Sequence, residues 1–432
     1  MKVLLVGSGA REHALAWKIA RSPLLTRLWI APGSPGTASL GENVPIAATD
    51  IPGLTRFAQD QAIDLCVVGP EAPLVAGLAD AMAERKIATF GPRASAAELE
   101  GSKAWSKEIM VRHRVPTALH RTFMQLSQAL SYLDTGARYP CVVKASGLAS
   151  GKGVVICPSR VEARDAVRAM LEGRRFGDAG ATVIVEEFLE GPEASVFCLT
   201  DGRTFAPLES CMDHKTLLEG GLGPNTGGMG AISPNPEVSD RTRALIERQV
   251  FLPTVHAMNH EGRRYQGVIF AGLKLTAGGP KVLEYNARFG DPECQVLMMR
   301  MQSDLLPLLS ACAHGTLESL EAPVWDARPA CCVVLAARGY PENPEKGHAI
   351  TGLDAVAVGD DLQVFHGGTA MHGGRLTTAG GRVLSVCALG ADLPEARERA
   401  YAACDLIHFE GKVMRRDIGK PALRLAEQPG LA

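Results

Sequence analysis

The sequence predicts an α/β protein whose N-terminal part is a doubly wound parallel sheet. Three observations point there. Short apolar runs alternate with helical periods through the first hundred residues, each run ends in a glycine- or proline-rich turn, and strand and helix patterns resume twice further on. Residues 2–6 read as the first strand and 7–10 as a turn. Residues 12–21 then set Leu15 and Ile19 four apart on one helical face. Strands follow at 28–30, 65–68 and 87–90, with helices over 51–61 and 75–84 between them. The turns GSGAREH, APGSPGT, GPEAPL and GPRAS all fall at strand C-termini, the edge where such sheets bind ligands.

A second unit begins near Gly101. Strands at 139–144 and 154–157 flank the connection SGLASGKG, and a helix over 161–172 leads to a strand at 182–188. Residues 265–275 and 281–286 form a strand pair, and 295–313 carries one long apolar helical pattern. Residues 321–329 read as a linker to a third unit with strands at 330–337, 363–365 and 382–389. Asp392 caps a last helix that lines up Leu393, Ala396, Ala400, Cys404 and Ile407.

Composition narrows the function. At 432 residues the chain has room for two to four domains, and 46% hydrophobic with 21% charged residues is ordinary for a globular protein. Forty-five basic against 47 acidic residues give a net charge of −2, which argues against a nucleic-acid carrier. No apolar run approaches the ~18 residues of a membrane helix, and the short apolar N-terminus is unlike a signal peptide. The 11 cysteines lack CxxC or Cys/His spacing and read as thiols of a reducing cytosol. A cytoplasmic protein without membrane or nucleic-acid partners is expected.

Several short stretches carry chemistry. GSGARE opens like a dinucleotide turn, but Glu12 stands at its third glycine position and no acidic residue follows the second strand, so NAD is disfavoured. Gly9, Arg11 and Glu12 instead suit a phosphorylated sugar at a helix N-terminus. Lys144 ends an apolar strand and calls for an anion. The loop 147–153, with Gly147, Gly151, Gly153 and the mobile charge of Lys152, can wrap phosphate oxygens, although it is not a Walker A loop. Glu186, Glu187, Leu189 and Glu193 offer backbone groups to an adenine edge and a carboxylate to ribose. Glu284 and Asn286, two apart on one strand face, are hard oxygen donors suited to Mg²⁺ or Mn²⁺, and Arg288 continues that face as an anion clamp if the strand runs on. GPNTGGMGA at 223–231 forms a second backbone-donor loop, with Asp213, His214 and Lys215 just before it.

Together GSGAREHALA, GPEAPL, EGSK, KASGLASGKG, EEFLEG, DHK, GPNTGGMGA, NARFGDPE and RRDIG resemble the glycinamide ribonucleotide synthetase (phosphoribosylamine–glycine ligase) family of the ATP-grasp superfamily, in the family's order and over nearly the whole chain. The resemblance implies a pre-ATP-grasp domain over 1–101, a two-lobed ATP-grasp module over 102–325 with a lid lobe at about 120–190, and a small α+β domain over 326–432. It implies ATP held by Lys103, Lys144, the 147–153 loop, Glu186, Glu187, Leu189 and Glu193, and metal on Glu284 and Asn286. Phosphoribosylamine would meet Gly9, Arg11, Glu12, Pro70 and Glu71. Glycine and the reacting phosphate would meet Asp213, Lys215, Asn225, Thr226, Gly227, Gly228 and Arg288. Lys144, Lys152, Arg288 and Asp213 would serve the reaction, in a monomer whose partners are small molecules.

The implied activity joins glycine to phosphoribosylamine through an acyl phosphate in purine biosynthesis. The chain departs from the family pattern at Ser146, usually Asp; at Thr216, usually basic; at Leu217 and Leu218; and at Pro192, usually acidic. Those departures keep a paralogous carboxylate–amine ligase with another substrate pair in view.

Overall fold

β1 (Lys2–Gly7) pairs in parallel with β2 (Arg27–Pro32) on one side and β4 (Leu65–Val68) on the other. β3 (Glu42–Asn43) and β5 (Ala88–Phe90) complete a five-stranded sheet in the order β3-β2-β1-β4-β5. Val3 to Val6 are fully buried, as a strand covered on both faces requires. The strand order reverses at β1, and α1 (Ala10–Ile19) begins at that switch point. The computed structural model describes residues 1–148, 153–173 and 177–426. The helix expected over 75–84 is two helices, Glu71–Val75 and Leu78–Glu84, because Gly77 at φ +91° breaks the period.

Two antiparallel sheets make up the middle of the chain. One takes His120–Phe123, Val183–Glu187, Cys141–Ala145 and Val154–Cys157 in that spatial order, with the helices Leu126–Thr135 and Arg160–Leu171 over its own small core around Val143, Val167 and Val183. The other orders Phe205–Pro207, Glu193–Thr200, Gly267–Thr276 and Gly279–Asn286. Its last strand pair slips register between Gly272 and Leu273, which leaves Leu283 bulged opposite them.

The long apolar pattern over 295–313 is also divided, into Glu293–Arg300 and Leu305–His314. Asp304 caps the second helix by accepting the Leu306 N–H at 3.0 Å, and Met301 turns extended to bridge Trp325. Both helices are apolar, so periodicity alone could not reveal the joint.

The C-terminal residues do not close a sheet by themselves. Six strands share one antiparallel sheet, in the order Met212–Asp213, Gly230–Ser233, Ala330–Ala337, Arg382–Leu389 and Leu362–His366, with Lys412–Val413 beside Ala330–Ala337. Two of those strands come from before residue 325, so this sheet spans the boundary expected at 325/326. Helix Leu393–Leu406 covers this sheet, capped by Asp392 and burying Ala396, Ala400 and Cys404 as its pattern predicts. All 11 cysteines are buried free thiols. Among the described residues no helix is long and apolar enough to cross a membrane.

Candidate active site

Lys144 stands next to last in strand Cys141–Ala145, and antiparallel register sets Val142 opposite Glu186 on the neighbouring strand. Lys144 Nζ lies 2.9 Å from Glu186 Oε2, and Lys107 Nζ lies 3.2 Å from Glu186 Oε1. All three side chains are nearly inaccessible. Burial pushes the Glu186 carboxyl up, but Lys144 and then Lys107 outweigh it and hold the group below its ordinary value. Burial draws Lys107 down to about 8 despite Glu186. The Glu186 carboxylate is therefore paired with both lysines. Lys107 was not legible as a site residue: in KAWSKEIMVR it reads as a surface lysine of a helix.

Lys144 Nζ also donates to the carbonyl of Leu283 at 3.1 Å, and Leu283 directly precedes Glu284. The bulge there turns that carbonyl across to the other sheet. The Glu284 and Asn286 side chains make no hydrogen bond or ion pair among the described residues. Burial raises the Glu284 carboxyl, yet Lys103, Lys215, Lys144 and Arg288 together hold it below its usual range. A carboxylate and an amide oxygen, held two residues apart and uncommitted to partners, are a donor set that fits a hard divalent cation.

Lys103 opens the helix Lys103–Arg112, and its N–H donates to the Ser146 carbonyl at 2.8 Å. Ser146 Oγ accepts the Ala104 N–H at 3.0 Å. A short hydroxyl at position 146 thus accepts one of the N–H groups that the helix start leaves free. Gly147 and Gly153 flank the connection, while Gly151 and Lys152 lie outside the described residues. Glu187 is tied to the Leu119 N–H at 2.9 Å and to Lys281 at 3.1 Å, and Leu189 is buried. Glu193 joins Lys215 at 3.2 Å and Lys274 at 3.3 Å, and Lys215 above all holds its carboxyl at about 2.

The GPNTGG loop folds back on the segment before it. Thr226 donates through N and Oγ1 to the Lys215 carbonyl, both at 2.7 Å, and Gly228 N donates to Thr226 Oγ1 at 3.0 Å. Asn225 is exposed. Gly228, at φ +113°, faces Asp213: a methyl there would sit 2.5 Å from Pro292 Cδ and 2.7 Å from Asp213 Oδ1. That oxygen is buried with no hydrogen-bond partner among the described residues. Burial first and Glu293 second push the Asp213 carboxyl well above its ordinary value, against Lys215 and Arg382. Gly228→Ala is expected to lower stability by roughly 1–3 kcal/mol through backbone strain and overlap, read by thermal denaturation.

Strand geometry ends at Asn286, so Arg288 does not continue the Glu284 face as the sequence allowed. It turns to the N-terminal unit, with Nε 3.3 Å from Glu71 Oε2 and Nη2 3.1 Å from Glu100 Oε1. Glu71 follows Pro70, the N-cap of helix Glu71–Val75. Burial raises its carboxyl, and Arg288 with Arg11 brings it below the usual value. Arg11 is not the exposed arginine that is the default for its type: it is buried, 2.6 Å from Glu12 Oε1, and donates to the Phe289 carbonyl at 3.2 Å. Glu12 turns inward and its Oε2 accepts the Gly9 N–H at 2.7 Å at the start of the helix.

Sequence reading also missed the C-terminal contribution. Arg382 donates to the Gly227 carbonyl at 2.7 Å and pairs with Asp291 at 3.1 Å, and Tyr340 Oη accepts the Gly227 N–H at 3.0 Å. Nothing in the local patterns around 340 or 382 signals this; only the shared sheet brings them there. His113, His260 and Glu261 form the one group of metal-ligand type found among the described residues, but Glu261 Oε1 already receives His113 Nε2 at 3.0 Å and Arg112 at 2.8 Å.

Residues 1–100 match the N domain of phosphoribosylglycinamide synthetase, 101–294 its ATP-grasp (A) domain and 330–421 its C domain. The chain belongs to the phosphoribosylglycinamide synthetase family. It is 51% identical over 424 residues to a phosphoribosylamine–glycine ligase of Mesorhizobium japonicum, covering 98% of this chain and 99% of that one. A ligase of the same name from Caulobacter vibrioides is 52% identical over 425 residues, with the same coverage. The crystal structure of phosphoribosylamine–glycine ligase from Thermotoga maritima superposes with TM-score 0.85 at 34% identity, covering 97% of this chain and all of that one. The biotin carboxylase domain of Hydrogenobacter thermophilus 2-oxoglutarate carboxylase, crystallised with MgADP and bicarbonate, reaches TM-score 0.73 over 96% of this chain and 91% of that one. At 16% identity it shares with this synthetase family the fold alone.

Proposed function

We propose that this chain ligates glycine to 5-phosphoribosylamine with ATP and Mg²⁺, giving glycinamide ribonucleotide, ADP and phosphate. It is an ATP-dependent ligase of purine biosynthesis by family. The observation that carries the mechanism is the 3.1 Å bond from Lys144 Nζ to the carbonyl beside Glu284, because it joins the lysine-bearing lobe to the carboxylate-bearing one.

A glycine carboxylate is a poor electrophile. Transfer of the γ-phosphoryl to it makes an acyl phosphate, from which phosphate can leave when the phosphoribosylamine nitrogen attacks. Lys144 has three N–H donors, and Glu186 and Leu283 take two, which leaves one for a phosphate oxygen. Lys103 adds charge from the adjacent helix start. Glu284 and Asn286 would hold magnesium, which neutralises charge on the nucleotide phosphates. The backbone of 187–189 would meet adenine and the half-exposed Glu193 the ribose.

Asp213, its Oδ1 buried and unpartnered, would accept the glycine ammonium beside the Gly228 amide. Pro70 and Glu71, with Arg11 and Arg288 close by, would line the phosphoribosylamine side. The loop 147–153 would close over the phosphates and limit hydrolysis of the acyl phosphate. This reading keeps the units at 1–101, 102–325 and 326–432, with the lid at about 120–190, in a cytoplasmic monomer with small-molecule substrates.

ADP release should require glycine and phosphoribosylamine together. Turnover with a different acid–amine pair and none with glycine would overturn the substrate assignment, and the altered loop 216–222 is where that second reading would originate.

A further inference from the structure

The motif RRDIG marks the family in sequence but has no role in the reaction as derived above. Residues 415–419 run against the far side of the segment that carries Asp213 and Lys215. Arg415 is buried and pairs bidentately with Asp417, Nε to Oδ1 at 2.8 Å and Nη2 to Oδ2 at 2.8 Å. Its remaining arm, Nη1, donates to the Thr216 carbonyl at 3.0 Å and to Thr216 Oγ1 at 2.9 Å. Asp417 Oδ2 accepts the Gly220 N–H at 2.8 Å, and the Arg416 N–H donates to Glu219 Oε1 at 2.9 Å.

The Gly419 N–H donates to His214 Nε2 at 3.0 Å, so the proton of that imidazole sits on Nδ1, 3.2 Å from the Gly230 carbonyl. Positions 214, 216, 219 and 220 are thus all held from the C-terminal side. The alternate positions 213 and 215 point the other way, to Gly228 and to Glu193. Thr216, one of the departures from the family pattern, is short enough to sit directly on the Arg415 guanidinium.

We infer that Arg415 and Asp417 are positioning residues: their bonds to Thr216 and Gly220 set the hairpin that leads into the GPNTGG loop, and through it the affinity for the amino-acid substrate. This rests on the reading that the loop receives glycine. No bond in the set touches Lys144, Lys103 or Glu284; the link from this segment to the nucleotide side is the pair of Lys215 with Glu193 at 3.2 Å.

The test is steady-state kinetics on the full chain with Asp417→Asn, Arg415→Lys and, as a probe of the loop itself, Asn225→Ala. Asp417→Asn should raise the KM for glycine about tenfold while the KM for ATP stays within about twofold. Arg415→Lys, which can still reach the Thr216 carbonyl, should fall between wild type and Asp417→Asn. Should burial of the pair prevent Asp417→Asn from folding, Thr216→Val and Glu219→Ala each remove a single outer link and should raise the same KM by about threefold or more. An unchanged glycine KM in the clamp variants, with a raised one in Asn225→Ala, overturns the clamp. An unchanged value in Asn225→Ala as well overturns the loop reading, and the inference with it.

Discussion

Lys144→Ala and Glu284→Ala are each expected to cut ligation about 10²–10³-fold at saturating substrates while leaving the circular dichroism of the chain unchanged. Each removes one charge facing the phosphates, from opposite lobes. In Lys144→Ala, Glu186 retains Lys107 at 3.2 Å, so no carboxylate is stranded and the fold survives. Glu284→Ala would remove the proposed metal ligand, whose carboxylate no side chain among the described residues engages, and excess magnesium should restore part of the rate. ADP release measured beside amide formation checks both. Rates within about threefold of wild type would mean that the nucleotide lies elsewhere.

Glu186→Ala carries the largest expected loss of stability, about 3–5 kcal/mol, because it leaves two buried lysines facing each other without an anion. Urea unfolding of the nucleotide-free protein measures it. The same triad fixes a pH signature. Burial holds Lys107 near 8, below the ordinary value of about 10.4. Between those values the unfolded chain binds the extra proton, so this lysine makes stability climb as pH rises from about 8. Glu186 acts at the other end: its depressed value means that its contribution is present above about 4.3 and is lost as pH falls through the folded value. Lys107→Met should flatten the alkaline rise, and a rise as steep as in wild type would show that other groups produce it.

These expectations draw unequally on sequence and structure. Lys144 and the Glu284–Asn286 pair were legible because strands alternate with period two and each motif ends an apolar run. The parallel sheet was legible for the same reason, since buried strands read as continuous apolar stretches between turns. What escaped was pairing at long range. Only antiparallel register, which sets Glu186 opposite Val142, puts Glu186 on the same face as Lys144, and only a bulge shows that the Leu283 carbonyl reaches it. Arg11 and Glu12 were read as ligands because a glycine-rich turn precedes them; that both are buried and paired with each other is seen only in the fold. Arg382 and Tyr340 lie in stretches with no local signature, and topology alone brings them to Gly227. The joint at Asp304 was hidden because two apolar helices in succession keep one period.

The sheet shared by strands 230–233 and 330–337 also bears on how the protein is made. Strand Gly230–Ser233 leaves the ribosome roughly a hundred residues before its partner Ala330–Ala337, a wait of about 5–20 s at common translation speeds. Over that interval its outer edge stays open to pairing with another nascent chain. Chain release short of residue 330 therefore yields a product with an uncovered edge, prone to clump, rather than a smaller working enzyme.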